Sequence, residues 1–384
     1  MNIAIDIRCL MEKDLTGIGE YTLNLLTHLF KADNKNQYYL FYNSRQNVES
    51  IIPRFSQRNI HYCPFKIPNK LLNLSLKIFR RPKLNKLIEH RYKTEKIDLF
   101  FFPNISFFAT DCPYIITAHD LSFEIFPEFL SLKRKLWHRI INPRKQYQKA
   151  KQIIAVSENT RNDLIKNFNI SPEKIISIYS GITPNFRVLP TQHPGLNKIK
   201  RKYNLPEKFF LFLGTIEPRK NIETLINAFE LFQPENLENY SLVIVGKPGW
   251  KYKSTFQKIE QYNSAHQNKI ILTNFIKSTE KVFFYNLATL FIYPSFYEGF
   301  GFPPLEAMAC GCPVITAHNS SLSEICGDAA ILIDPANAND IKNNIQKILE
   351  NKNIFIKRGT KKSADFNWPK TAQSFLNALT KNTE

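Results

Sequence analysis

Two series of short apolar segments, separated by stretches of helical period, run through the whole chain. Most of these segments are continuous and rich in β-branched or aromatic residues, which is typical of parallel strands covered on both faces. The first series is IAIDI (3–7), YYLFY (38–42), DLFFF (98–102), YIITA (114–118), QIIAVS (152–157) and KIISIYS (174–180). The second is FFLFLG (209–214), SLVIVG (241–246), KIILTNF (269–275), LFIYPS (290–295), PVITA (313–317) and AAILID (329–334). This alternation predicts an α/β protein with two doubly wound, Rossmann-like domains.

The break between the two series is RVLPTQHPGLNK (187–198), which has two prolines, a glycine and no strand pattern. We therefore predict an N-terminal domain over 1–190 and a C-terminal domain over 191–366. Open parallel sheets bind ligands at the carboxyl ends of their strands. Two such domains facing each other are expected to hold their ligands in one central cleft.

The chain is strongly basic, with 52 Lys and Arg against 33 Asp and Glu and a formal net charge of +19. Such a charge suits nucleic acid, an anionic membrane surface or phosphorylated substrates. Nucleic acid is not expected, because no aromatic platform or known helix motif accompanies the charge. The six cysteines are scattered, MNIAIDIRCL lacks a signal-peptide pattern, and no stretch approaches the ~20 apolar residues of a membrane span. We expect a cytoplasmic protein with free thiols.

The densest chemistry lies in YPSFYEGFGFPPLEAMACGC (293–312), where a strand ends and a helix opens at Pro303 and Pro304. The free N–H groups of a helix start and the helix dipole favour a phosphate or similar anion. Glu298 and Glu306 bracket this helix start and can accept hydrogen bonds from hydroxyl groups. A nucleotide-sugar needs both features, since its diphosphate lies between a ribose and a sugar that both carry hydroxyl groups. The alternative is a tight strand–helix turn with an acidic cap, and the spacing alone leaves both open.

The same segment carries a resemblance. Glu298 and Glu306, within EGFGFPPLEAMACGCPVI, resemble the paired-glutamate signature of retaining glycosyltransferases of family 4, which have the GT-B fold. Further segments resemble that family in order and spacing: TGIGEYTLNLL (16–26), TAHDLSFEIFPEF (117–129), AVSENTRNDLI (155–165), GTIEPRKNIETLINAF (214–229) and SSLSEICGDAAILIDP (320–335). The resemblance covers nearly the whole chain. It implies that a C-terminal helix, 367–384, crosses back to pack on the N-terminal domain.

The resemblance also implies roles for residues of the C-terminal domain, the donor side. The loop after Gly214 would present Arg219 and Lys220 to the donor diphosphate. Glu298 would contact the transferred sugar, and Glu306 the ribose hydroxyls. Backbone N–H groups would serve the sugar and the phosphate, and these belong to Gly299, Phe300, Gly301 and Leu305.

On the N-terminal, acceptor side, the resemblance implies that His119 hydrogen-bonds the donor sugar and that Asp120 orients it or touches the acceptor. Gly17 and Gly19 would form a loop near the diphosphate. Only two glycines are present, and Thr22 stands where a third would complete a dinucleotide fingerprint.

The activity so implied is transfer of a sugar from a nucleoside-diphosphate donor to a glycan acceptor with retention, by front-face displacement. No cofactor is expected beyond the nucleotide-sugar, and no metal, because the D-x-D pair of metal-dependent sugar transferases is absent. PRKNIETLI and YEGFGFPPLEAMACGCPVI look most like the mannosyl-transferring branch, which favours GDP-mannose. Alternatives are a UDP-sugar donor, a nucleotide-sugar epimerase, or a non-catalytic partner in a polysaccharide-assembly complex.

Residues 66–96 form a basic stretch, KIPNKLLNLSLKIFRRPKLNKLIEHRYKTEK, in which leucines alternate with Lys and Arg. Because Pro82 interrupts it, we predict two short amphipathic helices. Such a surface suits an anionic bilayer. We therefore expect a peripheral position at the inner face of the membrane and a lipid-linked glycan as one form of the acceptor. The alternative is a solvated basic face with its leucines in the core.

Overall fold

The structure, a computed structural model, describes residues 1–232, 240–266 and 269–380. Thirteen strands in this described part form two sheets in which every strand pair is parallel. The first sheet has the order β3-β2-β1-β4-β5-β6-β7. Its strands are β1 (Asn2–Asp6), β2 (Gln37–Asn43), β3 (Ile60–Phe65), β4 (Leu99–Phe102), β5 (Tyr114–Ala118), β6 (Gln152–Ala155) and β7 (Ile175–Ser177).

The second sheet repeats this topology with six strands in the order β10-β9-β8-β11-β12-β13. They are β8 (Phe209–Leu213), β9 (Ser241–Val245), β10 (Ile270–Asn274), β11 (Leu290–Tyr293), β12 (Val314–Ala317) and β13 (Ile331–Ile333). In each sheet the chain runs outward in one direction and then returns to continue in the other. The reversal points lie between β1 and β4 and between β8 and β11, and open α/β sheets bind ligands at such points.

Helices connect the strands in both halves. They are α1 (Gly17–Ala32), α2 (Asn69–Ile78), α3 (Leu84–Tyr92), α4 (Ser122–Ile125), α5 (Leu132–Ile141), α6 (Pro143–Lys149), α7 (Glu158–Phe168), α8 (Pro194–Lys202), α9 (Ile222–Phe232), α10 (Lys253–Ala265), α11 (Lys281–Leu287), α12 (Phe302–Ala309), α13 (Ser320–Cys326), α14 (Ala338–Glu350), α15 (Lys352–Ser363) and α16 (Trp368–Thr380). The predicted fold class, α/β with two doubly wound parallel sheets, is confirmed.

The sequence pattern missed one strand, β3. Only Cys63 and Phe65 of this strand are buried, and Pro64 lies between them. β3 is an edge strand that pairs only with β2 among the described strands. An edge strand tolerates proline and needs no continuous apolar run. A search for continuous apolar runs, which are typical of central parallel strands, therefore does not detect it.

The chain divides into two compact units. The first contains Met1–Ile125, Leu132–Gly181 and the C-terminal segment from Asn367, and the second contains Phe126–Ser131 and Ile182–Phe366. The short segment Phe126–Ser131 thus packs with the second sheet: the Trp250 indole N–H donates to the Phe129 carbonyl at 2.5 Å. The sequence predicts the interdomain break nearer to residue 190, within the segment that precedes α8.

α16 returns to the first unit, as predicted, and packs along α1. Its first residue, Trp368, is buried and lies edge-on to Tyr21, with ring centroids 5.9 Å apart. The Phe375 ring lies 4.6 Å from that of Phe101 in β4. The chain passes so close to the start of α16 at Gly181 that a Cβ there would lie 2.2 Å from the Trp368 backbone nitrogen. Burial of these aromatic rings fixes α16 to the first unit.

The basic stretch 66–96 contains the two predicted helices, α2 and α3. Leu72 and Leu76 of α2 are buried and pack with Ala109. Other apolar side chains of this stretch lie at the surface, with exposed fractions of 60% for Leu71, 51% for Leu74, 57% for Ile78 and 70% for Phe79. α2 is therefore apolar on two sides, one of which faces the protein. Across the described residues, the helices are too short or too polar to cross a bilayer.

Candidate active site

The loop after β8 places two cations at the reversal point of the second sheet. Pro218–Lys220 forms a single 3-10 turn, which ends at Asn221 in the left-handed conformation with φ of 56°. The Asn221 amide donates to the carbonyl oxygens of Pro294, at 3.1 Å, and Pro335, at 2.5 Å. Asparagine tolerates this conformation and ties the loop to the chain beyond β11. Arg219 and Lys220 are thereby held beside the carboxyl end of β11.

Glu298, in the loop that follows β11, receives both cations on one carboxylate oxygen. Its Oε1 lies 2.5 Å from Lys220 Nζ and 3.0 Å from Arg219 Nη1. The hydroxyl groups of Ser295, at 2.6 Å, and Tyr293, at 3.1 Å, donate to the same oxygen. Within the part of the chain that the structure describes, Oε2 accepts no hydrogen bond. Glu298 thus has one anchored oxygen and one that can accept from a ligand.

The charge state of Glu298 follows from these contacts. Burial opposes ionisation, but Arg219 and Lys220 outweigh it and lower the pKa of Glu298 to about 2. For Lys220, burial and then the neighbouring Arg219 lower the pKa from its usual value. A carboxyl group with so low a pKa cannot donate a proton near neutral pH. Glu298 can therefore act only as an anion and a hydrogen-bond acceptor.

Glu217 is a third charged member of this cluster, and the sequence did not single it out. Its carboxylate accepts from Arg219 Nη2 at 2.8 Å, while Arg219 Nη1 donates to the Tyr297 carbonyl at 2.5 Å. Glu217 is almost fully buried, and burial raises its pKa. The two contacts fix the plane of the guanidinium group. Glu217 lies only two residues before Arg219, but the sequence does not show that its side chain turns inward.

The backbone between Glu298 and α12 forms a tight turn that serine hydroxyls hold in place. Gly301 has a φ of 106°, which favours glycine, and a Cβ there would lie 3.0 Å from Leu322 Cδ2. Ser321 Oγ donates to the carbonyl oxygens of Glu298 and Phe300, both at 2.9 Å. Gly299 and Phe300 are buried within this turn. The sequence predicted the turn and its glycines but not the serine that supports them.

Two residues of α12 were predicted to serve the donor, Leu305 and Glu306. The Leu305 N–H donates to the Gly301 carbonyl over a long distance, 3.4 Å. Glu306 is almost fully buried and accepts from the Tyr285 hydroxyl at 2.9 Å, and Lys281 Nζ lies 3.7 Å from its other oxygen. Glu306 thus forms a second polar site on α12, with partners in α11 that the sequence did not indicate.

In the first unit, His119 and Asp120 follow β5, as predicted. His119 Nε2 lies 2.8 Å from the Pro103 carbonyl. Because a carbonyl oxygen only accepts, Nε2 carries the proton, and burial lowers the pKa of His119 so that the ring is neutral. Its Nδ1 is therefore an acceptor. Asp120 Oδ1 accepts from the Ser122 N–H, at 2.9 Å, and hydroxyl, at 2.7 Å, and so holds the start of α4.

The glycines predicted to approach the ligand differ in their surroundings. Gly17 is exposed at the start of α1, and a Cβ there would meet nothing within 4 Å. Gly19 is buried, and a Cβ there would lie 3.0 Å from Leu15. Tyr21 of α1 lies edge-on to His119, with ring centroids 4.8 Å apart, so the structure brings the glycine segment and the His119 segment together.

Gly214, after β8, has ordinary van der Waals space around a Cβ position, but its neighbour Gly246 does not. A Cβ on Gly246 would lie 1.8 Å from the Gly214 carbonyl oxygen. The close approach of these two loops therefore depends on Gly246, which follows β9 and which the sequence did not single out. The packing therefore requires glycine at Gly246, whereas Gly214 has room for a Cβ.

In the described ranges no three His, Cys, Asp or Glu side chains come together as a metal-binding group. The positive charge at the reversal point of the second sheet comes from Arg219 and Lys220.

Solved structures share this fold over essentially the full chain. Sucrose-phosphate synthase from Thermosynechococcus elongatus superposes with a TM-score of 0.74 at 20% identity, covering 99% of this chain and 98% of that one. Anabaena HepE, solved in complex with UDP and glucose, gives a TM-score of 0.72 at 17% identity, covering 99% and 100%. At these identities the likeness shows the fold. The two doubly wound units, each with polar side chains at its strand ends, therefore have the GT-B fold.

Two family descriptions match consecutive parts of the chain, "Glycosyltransferase Family 4" over residues 15–186 and "Glycosyl transferases group 1" over residues 197–364. The chain belongs to the family 4 glycosyltransferases. It is 30% identical over 244 residues to the Escherichia coli serotype-specific mannosyltransferase WbdA. This match spans 63% of this chain but only 30% of the length of WbdA. The chain is 28% identical over 373 residues to the Escherichia coli O-antigen chain mannosyltransferase B, covering 95% and 96%.

Proposed function

We propose that the protein transfers a hexose from a nucleoside-diphosphate donor to a glycan acceptor with retention of anomeric configuration. The observation that carries this proposal is the convergence of Arg219 and Lys220 on Glu298 at the reversal point between β8 and β11. Two preorganised cations stabilise the negative charge that develops on a departing diphosphate. The carboxylate between them binds sugar hydroxyls through its unoccupied oxygen.

The step we propose is a front-face displacement. The bond between the anomeric carbon and the diphosphate oxygen breaks as the acceptor oxygen forms its bond on the same face. The acceptor hydroxyl gives its proton to the departing diphosphate oxygen. Arg219 and Lys220 bind that diphosphate, and the loop around Gly299 holds the sugar, so the protein contributes position and charge.

The contacts of Glu298 argue against a covalent glycosyl-enzyme intermediate. In retaining hydrolases the nucleophilic carboxylate attacks the anomeric carbon directly. Here two cations and two hydroxyl groups surround Oε1, which withdraws electron density from the carboxylate. A carboxylate with a pKa of about 2 is also a weak base and hence a weak nucleophile. Sugar binding is the role that fits Glu298.

We propose mannose from GDP-mannose as the donor. Support comes from the relatives: WbdA, the O-antigen chain mannosyltransferase B and the Salmonella typhimurium O-antigen chain mannosyltransferase RfbU are all named as mannosyltransferases. The alternative is a UDP-sugar, the ligand class found in the solved HepE complex. The acceptor we propose is a glycan or lipid-linked glycan of a cell-surface polysaccharide, as the names of the O-antigen enzymes suggest.

We further propose that α2 attaches the protein peripherally to an anionic membrane surface at the inner face. Leu71, Leu74, Ile78 and Phe79 are exposed beside Lys70 and Lys77, and residues 66–88 contain no acidic side chain. Each basic residue near an anionic bilayer contributes about 1 kcal/mol, and the exposed apolar side chains add their burial in the interface. A lipid-linked acceptor would be presented at that surface.

A non-catalytic partner in polysaccharide assembly, or an epimerase, would have the same fold. Neither is favoured by a specific observation, since the charged cluster is complete and its members are buried and mutually paired. A thermal-shift experiment in EDTA with GDP, UDP, ADP and their sugar conjugates tests the proposal. A rise in Tm with GDP and GDP-mannose, absent in Lys220→Ala, is expected. A rise in Tm with UDP compounds would show that the donor is a UDP-sugar and not GDP-mannose. An unchanged Tm with every nucleotide would contradict the proposed glycosyltransferase activity.

A further inference from the structure

The first sheet has an ion pair at its own reversal point, between β1 and β4. Asp6 is the last residue of β1, and Arg8 follows it two residues later. The Arg8 guanidinium group contacts the carboxylate with two atoms: Nε lies 2.9 Å from Oδ1, and Nη2 lies 2.6 Å from Oδ2. The side chain of Asp6 is 3% exposed and that of Arg8 is 17% exposed. A charged pair thus lies at the strand ends where open α/β sheets bind ligands.

The same guanidinium group holds the loop that follows β4. Arg8 Nη2 also donates to the Ser106 hydroxyl and to the Phe107 carbonyl, both at 3.0 Å. At the start of this loop, His119 Nε2 donates to the Pro103 carbonyl at 2.8 Å. Residues that follow the two neighbours of β4 therefore hold both ends of the loop, Arg8 from β1 and His119 from β5. A loop held in this way is already ordered before a ligand binds, which lowers the entropic cost of binding.

Two polar groups of this arrangement have hydrogen-bonding capacity that the protein itself does not use. Toward the described residues, Arg8 Nη1 makes no hydrogen bond, and it keeps contact with solvent. Asn104 lies between the two held ends of the loop and is half-buried. Its Nδ2 donates to the Ile105 carbonyl at 3.2 Å, while its Oδ1 accepts from none of the described residues. Arg8 Nη1 thus offers two N–H donors, and Asn104 offers an acceptor.

The chemistry of these groups favours a sugar over an anion. Asp6 compensates the charge of Arg8 through the two-atom contact, so a phosphate gains less from this pair than from an unpaired arginine. The N–H groups on Nη1 remain donors. A sugar hydroxyl both donates and accepts, so a sugar can use the donors of Arg8 and the acceptor of Asn104 together.

We propose that Arg8 and Asn104 form a sugar-binding subsite of the first unit, which holds a neutral hexose of the acceptor glycan. This inference rests on the proposed function, in which a glycan accepts the transferred sugar. Asp6 and Ser106 are positioning residues, because they fix the guanidinium plane through Nε and Nη2 and leave Nη1 to the ligand. The subsite sets which acceptor binds and takes no part in departure of the diphosphate.

Two variants remove the proposed ligand contacts separately. Arg8→Lys keeps a positive charge beside Asp6 but has no second nitrogen to offer a ligand. Asn104→Ala removes the amide, which makes one local hydrogen bond to the backbone, so it tests the subsite even if Arg8→Lys does not fold. Asn167→Ala on α7 is the matched control in the same unit. Asn167 is also half-buried, and its amide donates to one nearby carbonyl, that of Asp163, at 3.0 Å.

The test is steady-state transfer to neutral p-nitrophenyl glycosides, with GDP-mannose and UDP-glucose as alternative donors. The probes are the α-mannoside, the α-glucoside, the β-galactoside and the N-acetyl-β-glucosaminide. Each of the two variants should raise the KM for an accepted glycoside about tenfold, as expected for the loss of a hydrogen bond in a partly buried site. The donor KM should stay close to that of the wild type, and Asn167→Ala should leave both KM values unchanged.

The other outcomes separate the subsite from the proposed function. An unchanged glycoside KM in Asn104→Ala and Arg8→Lys would overturn the subsite. Equal increases in the glycoside and donor KM, or the same increase in Asn167→Ala, would show a distorted fold and would also overturn it. If the wild type hydrolyses a donor but transfers to none of the four glycosides, the neutral-hexose subsite is wrong and the donor chemistry stands. If it turns over neither donor, the proposed function is wrong and this inference with it.

Discussion

Lys220 Nζ lies 2.5 Å from Glu298 Oε1, and the exposed fractions of the two side chains are only 10% and 11%. The cation proposed to bind the donor diphosphate is thus already neutralised by the carboxylate proposed to bind the sugar. A diphosphate must compete with Glu298 for Lys220, or share it. The affinity for nucleotide and the rate of transfer therefore depend on Glu298 in opposite directions.

Replacement of Glu298 by Gln separates these two effects. The amide preserves the shape but removes the charge, so Arg219 and Lys220 become better binders of an anion. We expect Glu298→Gln to bind the nucleoside diphosphate at least as tightly as the wild type. Its kcat should fall by at least about tenfold, or about 1.4 kcal/mol of barrier. Glu260→Gln, an exposed glutamate on α10, is the control. Wild-type turnover in Glu298→Gln would contradict the site.

The low pKa of Glu298 predicts a pH dependence of stability. The pKa falls from 4.5 in the unfolded chain to about 2 in the folded protein. The unfolded state therefore takes up the proton first, and the stabilisation by Glu298 is complete above about pH 5 and declines as the pH falls from 4.5 toward 2. At about 1.4 kcal/mol per pKa unit the contribution is at most about 3 kcal/mol, and the lowered pKa of Lys220 offsets part of it.

Urea unfolding of the wild type and Glu298→Gln between pH 7 and pH 3.5 measures this contribution. The difference in the free energy of unfolding should be constant from pH 7 to pH 5 and should shrink below pH 4.5. A difference that grows as the solution becomes more acidic would show that Glu298 is not held as an anion by Arg219 and Lys220.

Glu217 should act on donor binding through Arg219. Glu217→Gln weakens the ionic contact, made at 2.8 Å, that fixes the guanidinium plane. The diphosphate would then bind a less ordered arginine, and we expect the donor KM to rise about fivefold to tenfold with a smaller change in kcat. Steady-state kinetics at saturating acceptor checks this split. A fall in kcat with an unchanged donor KM would place Glu217 at the reacting centre instead.

α2 should bind anionic bilayers through its exposed apolar side chains. We expect the protein to cosediment with vesicles that contain phosphatidylglycerol and much less with pure phosphatidylcholine. Ile78→Ser should weaken that binding severalfold, because it removes an exposed apolar side chain from the interface. Ile354→Ser on α15 is a matched control, since Ile354 is also half-exposed, at 50%, on a basic helix. Equal losses of vesicle binding in Ile78→Ser and Ile354→Ser would contradict a specific role of α2 in membrane binding.

The fold was predictable because its signals are local. Continuous apolar runs such as FFLFL mark central parallel strands by themselves, and helical periods fill the intervals between them. β3 was missed because an edge strand with Pro64 satisfies different rules. The sequence also could not predict that Phe126–Ser131 belongs to the second unit. This placement depends on distant contacts such as that of Phe129 with Trp250, 121 residues away.

For the candidate site, the sequence identified the residue types but not their mutual contacts. Arg219, Lys220 and Glu298 stood out through motifs, yet Lys220 and Glu298 are 78 residues apart and nothing local shows that they touch. Tyr285 and Glu217 carry no motif signal, because a buried tyrosine or glutamate in an apolar segment resembles core or surface until its partner is known. Only the three-dimensional arrangement shows which polar groups are paired.

Retention of configuration at the cluster of Arg219, Lys220 and Glu298 is best tested by acceptor-free hydrolysis of the donor, followed by proton NMR of the first-formed free sugar. With GDP-mannose as donor, a retaining reaction releases α-mannose before mutarotation. We also expect the release to slow at least about tenfold in Lys220→Ala and Glu298→Gln. First appearance of β-mannose would contradict retention, and equal release by the wild type and both variants would contradict the assignment of the reaction to this cluster.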